Sequence, residues 1–214
     1  MKIISIVGQK GGIGKSTIAG NLAVLASKKY KKVAIADVDP QGTLANWYER
    51  RKNNAVENGI AFIPLEINNL EKIKSELANK GCEILIIDTL PIKADYMEKI
   101  IALSDLVVMP CKPSLSDLET MPRTIEQVQG KAGMVFIINE SKNNTNVLTQ
   151  TMEALQRLGA IVGRISSSVE MSTSWSEGLS ICEYNKNNTC CGQYHEIFKN
   201  IDSHLNKTLH KLSA

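Results

Sequence analysis

Gln9-Lys10-Gly11-Gly12-Ile13-Gly14-Lys15-Ser16-Thr17 follows an apolar run, Ile3-Ile4-Ser5-Ile6-Val7, and precedes a helix-like one, Ile18 to Ser27. Strand, glycine loop and helix in that order read as a phosphate-binding loop. Glycines let the backbone curl until several N–H groups point at one anion, and the following helix adds its positive end. In such a loop Lys15 supplies a mobile charge for the β- and γ-phosphates, and Ser16 a hydroxyl for Mg2+. Two details are irregular. The ordinary pattern has a glycine where Gln9 stands, and Gly8 lies one position too early. A second lysine, Lys10, stands inside the loop although Lys15 already fills the usual role.

Outward from the loop, strand-like runs alternate with helical patterns. Strands are expected at Lys2 to Val7, at Val33 to Ala36 running into Asp37-Val38-Asp39, and at Ile60 to Pro64. Others are expected at Glu83 to Asp88, Leu106 to Met109, Met134 to Asn139 and Ala160 to Ile165. Ile84-Leu85-Ile86-Ile87 is continuously apolar, as in a parallel strand covered on both faces. Helices are expected at Ser16 to Lys29, Leu70 to Asn79, Asp95 to Leu103, Ser116 to Gln129 and Asn146 to Leu158. Lys28-Lys29-Tyr30-Lys31-Lys32 reads as a solvated helix end, where cations suit the dipole. This alternation implies an α/β fold: a doubly wound, mostly parallel sheet with helices on both faces, as in P-loop NTPases. With no repeat or low-complexity linker, residues 1–214 are expected to form a single P-loop domain.

Composition narrows the function classes. The apolar fraction of 43% supports a substantial core, and the net charge of +3 permits contact with nucleic acid without arguing for it. Aromatics at 5% are too sparse for a single-strand stacking platform. Met1-Lys2 leads straight into the first strand, so no signal peptide is expected, and no apolar run approaches bilayer-spanning length. Cys82, Cys111, Cys182, Cys190 and Cys191 are odd in number, with no C-x-x-C pair, which disfavours a structural zinc site. Cys190-Cys191 reads as small residues in a loop, next to the polar loop Asn185 to Thr189, with an interfacial metal site or a redox pair as the sharper alternatives. Reduced thiols in the cytosol are expected.

Two acidic sites follow strands, where a parallel sheet gathers its ligands. Asp88 after four apolar residues has the Walker B arrangement, and a carboxylate there can hold Mg2+ through its water shell. Asp37 and Asp39 lie two apart and point the same way on a strand, so both can face the phosphates, one toward the metal and one toward an attacking water.

Lys10-Gly11-Gly12-Ile13-Gly14-Lys15-Ser16-Thr17 resembles the deviant Walker A loop of the ParA/MinD ATPases. Asp37-Val38-Asp39-Pro40-Gln41-Gly42 is similar to their A-prime motif, and Asp88-Thr89-Leu90-Pro91 to their Walker B. Val107 to Ser114, with Asp117 after it, resembles the short plasmid-partition ATPases in particular. The resemblance is dense from Met1 to about Asp117 and thins beyond it. It implies Mg-dependent ATP hydrolysis, with ATP and Mg2+ as ligands. Gly11, Gly12, Ile13, Gly14, Lys15, Ser16 and Thr17 would hold ATP, and Asn139 is a plausible adenine contact. Ser16 would coordinate Mg2+, with Asp37 and Asp88 supporting the metal, while Asp39 would position water. Lys10 would reach across a dimer interface to the partner's nucleotide, which accounts for the spare cation.

The implied function is segregation of a plasmid or chromosome. ATP binding would drive homodimerisation and nonspecific DNA binding, and a centromere-binding ParB-type protein would stimulate hydrolysis. The implied location is cytoplasmic and nucleoid-associated. With no helix-turn-helix before the first strand, a partition protein of this kind is expected to belong with the short forms, which leave operator binding to a partner. Arg164, Lys199, Lys207 and Lys211 are candidate DNA contacts, with a solvated surface as the bland reading. The alternative is a MinD-like membrane-associated positioning ATPase, which rests on the amphipathic segment His195 to Leu212, with Phe198, Ile201, Leu205, Leu209 and Leu212 at helical spacing. Its apolar side lacks Trp and its basic residues are few, so a closing helix packed on the body is expected and membrane contact is not. A reductase or metal-insertion ATPase has only Cys190-Cys191 in its favour.

Overall fold

The computed structural model describes residues 1–56, 59–66, 69–90 and 95–212, without the side chains of residues 95 and 207–212. In chain order the elements are β1 (Lys2–Ile6), α1 (Lys15–Ser27), β2 (Val33–Asp37), α2 (Thr43–Asn53), β3 (Ile60–Phe62), α3 (Leu70–Asn79), β4 (Ile84–Asp88) and α4 (Asp95–Leu103). They continue as β5 (Leu106–Cys111), α5 (Leu115–Val128), β6 (Gly133–Ser141), α6 (Asn146–Leu158), β7 (Ala160–Ser166), α7 (Val169–Ser176), α8 (Ile181–Tyr184) and α9 (Thr189–Leu212).

The strands form one sheet in the order β3-β2-β4-β1-β5-β6-β7, and every described pairing is parallel. The doubly wound expectation is met. Alternation along each strand divides the core. Ile4, Ile6, Ile35, Ile84 and Ile86 face a layer containing α1, α2, α8 and α9. Ile3, Ala34, Leu85, Ile87 and Val107 face the opposite layer of α3, α4, α5 and α6. Covering both faces is what makes the strands read as unbroken apolar runs.

This topology places the functional crevice. From β1 the chain winds toward β2, and from β5 it winds toward β6, so α1 and α5 leave adjacent strands on opposite faces. A ligand crevice opens at the carboxyl ends of such strands. Pro110 sits inside β5 at a point beyond its pairing with β1, which ends at Val108, so its missing N–H costs no ladder bond on that side.

Three helices lie where no helix was expected: α2, α7 and α8. They pack together. The rings of Trp47 (α2) and Trp175 (α7) stack with centroids 5.1 Å apart, and the Arg51 guanidinium lies 5.0 Å over Trp47. Arg51 is 1% exposed and forks onto both carboxylate oxygens of Glu183 in α8, at 2.7 and 2.8 Å. Gly20 of α1 admits Trp175 this closely, because a Cβ there would stand 2.8 Å from the indole ring. The basic run is solvated as expected, with Lys28, Lys29, Lys31 and Lys32 exposed, and Lys29 and Tyr30 in addition bond Asp202 of α9.

The last helix starts at Thr189 rather than His195, since Asn188 caps it by accepting from the Cys190 amide at 2.8 Å. Cys190 and Cys191 are therefore buried helical residues, not loop residues. Reduced thiols throughout are also not what the structure has. Cys182 and Cys191 form a disulfide, while Cys82, Cys111 and Cys190 are free and buried. Among the described residues no helix is long and apolar enough to cross a membrane.

Candidate nucleotide site

The loop between β1 and α1 closes on itself through Gly14, which has φ 94° and ψ 19° as the residue capping α1. A side chain is excluded there twice over. The left-handed backbone disfavours one, and a Cβ would stand 2.2 Å from Asn139 Nδ2. Asn139, buried near the end of β6, donates that Nδ2 to the Ile13 carbonyl at 2.8 Å and so pins the loop. Lys15 is 7% exposed, and its Nζ donates to the Lys10 carbonyl at 3.1 Å. Burial lowers the Lys15 pKa, while Asp88 and Asp39 pull the other way.

Asp88 ends β4 in register with Ile6 of β1 and Asp37 of β2, so three strand ends converge at the loop. It is 1% exposed, and neither of its oxygens has a hydrogen-bond partner of good geometry. Burial pushes its carboxyl up to about 7, against the pull of the nearby Ser16 hydroxyl and Lys15, with Asp37 and Asp39 adding to the rise. A buried carboxylate with both oxygens unpartnered beside a hydroxyl is a hard oxygen donor set, and these residues fit Mg2+.

Asp37 is committed differently. Its Oδ1 accepts from the Asp39 amide at 3.0 Å, and its Oδ2 accepts from the Leu44 and Ala45 amides at 2.9 and 3.0 Å. It caps α2 from the end of β2. Burial raises its pKa in spite of these three amides. Asp39 accepts from the Gln41 amide at 2.9 Å, which fixes the turn after β2.

The model of the "CobQ/CobB/MinD/ParA nucleotide binding domain" family matches residues 4–181. The chain belongs to this family. Among its relatives, the maintenance of carboxysome distribution protein A of Gloeobacter kilaueensis is 25% identical over 158 residues, 73% of this chain and 70% of that one. The sporulation initiation inhibitor protein Soj of Bacillus subtilis is 29% identical over 129 residues, 53% of this chain and 51% of that one. A putative plasmid partition protein from Borrelia burgdorferi B31 bound to AMPPNP superposes with a TM-score of 0.76 at 21% identity, covering 94% of this chain and 98% of that one. That last likeness shows the fold, a ParA/MinD-type P-loop architecture.

A cavity of about 810 Å3 opens beside Gly14, Thr17 and Asn139, walled by five serines of the β7–α7 region, Trp175 and Arg50. The structure thus brings together the expected Gly14, Lys15, Ser16, Thr17, Asp37, Asp39, Asp88 and Asn139. Lys10 goes elsewhere: its Nζ pairs with Asp117 Oδ1 at the start of α5, 3.0 Å away. Arg164 and Lys199 are exposed on β7 and α9, while the side chains of Lys207 and Lys211, like Pro91 of the Walker B match, lie outside the described residues.

Arg50 was missed by the sequence reading. Its Nε is buried without a hydrogen-bond partner. It lies three residues after Trp47 on α2, a helix not expected from the sequence although Leu44, Trp47 and Tyr48 fall at helical spacing, and α2 is packed on α7 by the Trp47–Trp175 stack.

Proposed function

We propose that the chain is a partition ATPase of the ParA type, in which ATP binding closes a homodimer that holds DNA without sequence preference and a ParB-type centromere-binding partner triggers hydrolysis. The observation that carries this reading is the position of Lys10. Its carbonyl holds Lys15, yet its ammonium is turned to Asp117, across the crevice between β1 and β5. A loop that carries a second cation and keeps it away from its own phosphate seat suits a residue that serves a neighbouring copy's nucleotide. Adding charge only on closure ties hydrolysis to dimerisation.

In this mechanism the amides of Gly11 to Thr17 and the Lys15 ammonium bind the triphosphate. Asn139, already fixed to the loop through its amide nitrogen, would contact the adenine base. Ser16 and Asp88 would hold Mg2+, with Asp37 behind them bracing the turn that carries Asp39. When bound, the ion neutralises charge on the β- and γ-phosphates. Asp39 orients the attacking water and accepts its proton.

The deciding experiment is binding of duplex DNA of arbitrary sequence by the full chain with ATP, ADP or no nucleotide, across a salt series. Binding that requires ATP, with log affinity falling linearly against log salt, is expected. An ATP-loaded protein without DNA affinity at low salt would sink the reading.

The MinD-like alternative rests on the amphipathic α9. Ile201 and Leu205 of its apolar stripe are already buried in the core, 0% and 2% exposed, which disfavours a membrane role for that part. Leu209 and Leu212 lie outside the described side chains. Flotation with anionic vesicles, for the full chain and for a chain lacking residues 205–214, separates the two readings. Partition predicts no flotation of either.

A further inference from the structure

Cys182, Cys191 and His195 lie outside the nucleotide crevice, with one ligand atom from each within 4.8 Å of the others. The chain positions that carry them are unusually well fixed. Cys191 and His195 are four apart on α9, so they share one helix face. Cys182 sits on α8, whose capping box joins Ser180 and Glu183 and whose Glu183 is forked onto Arg51. The start of α9 is held by Asn188, whose side chain accepts from the Cys190 amide and donates to Glu170. The neighbouring Cys190 takes no part, since its sulfur turns to the Ser166 carbonyl.

We propose that this cluster is a redox-gated soft-metal site that takes Zn2+ when Cys182 and Cys191 are reduced and is closed by their disulfide when they are oxidised. Three lines of chemistry support it. Two thiolates and a neutral imidazole are a zinc donor set, and thiolates select against the hard Mg2+ suited to the phosphate loop. Two thiolates cancel the charge of Zn2+, so the site is neutral where the sulfurs are buried. Tetrahedral zinc at its usual bond lengths places ligand atoms roughly 3.4–3.8 Å apart; the His195 imidazole is already within 4.8 Å of both sulfurs, and the sulfurs, bonded to each other here, part on reduction to admit the ion. His195 is exposed, which gives the ion an entry side and leaves a fourth position for water.

The gate balances as an ordinary exchange. A dithiol reductant gives two electrons and two protons to the Cys182–Cys191 disulfide and becomes a disulfide itself. Zn2+ then displaces the two thiol protons to solvent. Oxidation by a disulfide-bearing partner reverses the sequence and expels the ion.

The test uses the full chain, reduced by a dithiol that is then removed anaerobically, against the same chain oxidised. Zinc is titrated in competition with a chromophoric chelator, and cobalt is used as the spectroscopic probe. The reduced chain is expected to bind one zinc, and its cobalt form to show tetrahedral d–d bands with thiolate charge transfer. The oxidised chain is expected to do neither. His195→Ala, on the exposed side, should keep the melting temperature and nucleotide binding while weakening zinc by more than about tenfold. Cys182→Ser should abolish thiolate charge transfer from the pair, and Cys190→Ser should leave binding unchanged. Absence of zinc binding by the reduced chain, equal binding after oxidation, or loss in Cys190→Ser with retention in His195→Ala would each overturn the proposal.

Discussion

Lys10 Nζ lies 3.0 Å from Asp117 Oδ1, so the second cation of the glycine loop is engaged by its own chain across the crevice between β1 and β5. The carboxylate also accepts from the Lys112 amide at 2.9 Å. Burial alone would raise the Asp117 carboxyl, but Lys10, the Lys112 amide and the Ser114 hydroxyl together hold it below the ordinary aspartate value.

If Lys10 acts on a partner's nucleotide, Lys10→Ala leaves ATP binding by the monomer within about twofold while dimer-dependent hydrolysis falls by roughly 100-fold or more. Parallel loss of both would contradict the role. The ion pair also contributes to stability. A depressed acid contributes fully above its unfolded pKa and loses the contribution as pH falls through the lower folded value. Asp117→Asn therefore narrows its stability deficit, about 1–3 kcal/mol at neutral pH, as urea melts are taken below pH 4.

Asp88 titrates in the opposite sense. Its folded pKa, about 7, stands above the ordinary 3.8. Its contribution is fully present below the unfolded value and is lost as pH rises through about 7. Asp88→Asn removes that loss, so at pH 8 without metal the variant melts higher than the parent, by about 2–4 °C for each kcal/mol recovered. The same variant loses Mg-dependent hydrolysis. Calorimetry at pH 5 and pH 8, beside a phosphate-release assay, reads both effects.

Gly14→Ala forces a Cβ to within 2.2 Å of Asn139 Nδ2 at a backbone φ of 94°. The left-handed strain costs about 1–2 kcal/mol, and displacing Asn139 from the Ile13 carbonyl costs about 1 kcal/mol more. A lowered urea midpoint with the slope unchanged is expected, together with weakened ATP binding.

Arg50→Ala tests the cavity wall. Arg50 lines the space beside Thr17 and Asn139, and its Nε is buried without a hydrogen-bond partner. Loss of a charged donor weakens binding of a fluorescent ATP analogue by roughly 3- to 10-fold, about 0.7–1.4 kcal/mol. Arg50→Lys restores only part of it, because an ammonium does not reproduce the planar fork. Unchanged affinity in Arg50→Ala would remove Arg50 from the site.

What the sequence determined by itself is local or periodic. The glycine loop, the strands β1, β4 and β5 and the strand-ending Asp37 and Asp88 are legible because a buried parallel strand is a continuous apolar run and a phosphate loop needs its glycines consecutively. The tertiary structure decided what depends on partners distant in sequence. Helix α2 is capped not by a neighbour but by Asp37 from the strand before it, and Arg50 lines the cavity beside Trp175, on which Trp47 stacks. Cys191 joins Cys182 rather than bearing the adjacent Cys190 as its mate, since neighbours on a helix point about 100° apart while residues on separate helices can meet face to face. The loop's two lysines, read in sequence as one too many, separate in space. Lys15 folds inward to the loop's own carbonyl, and Lys10 crosses to an aspartate 107 residues away. Spacing along the chain specifies which charges are present, and only the packing of the sheet fixes which of them meet.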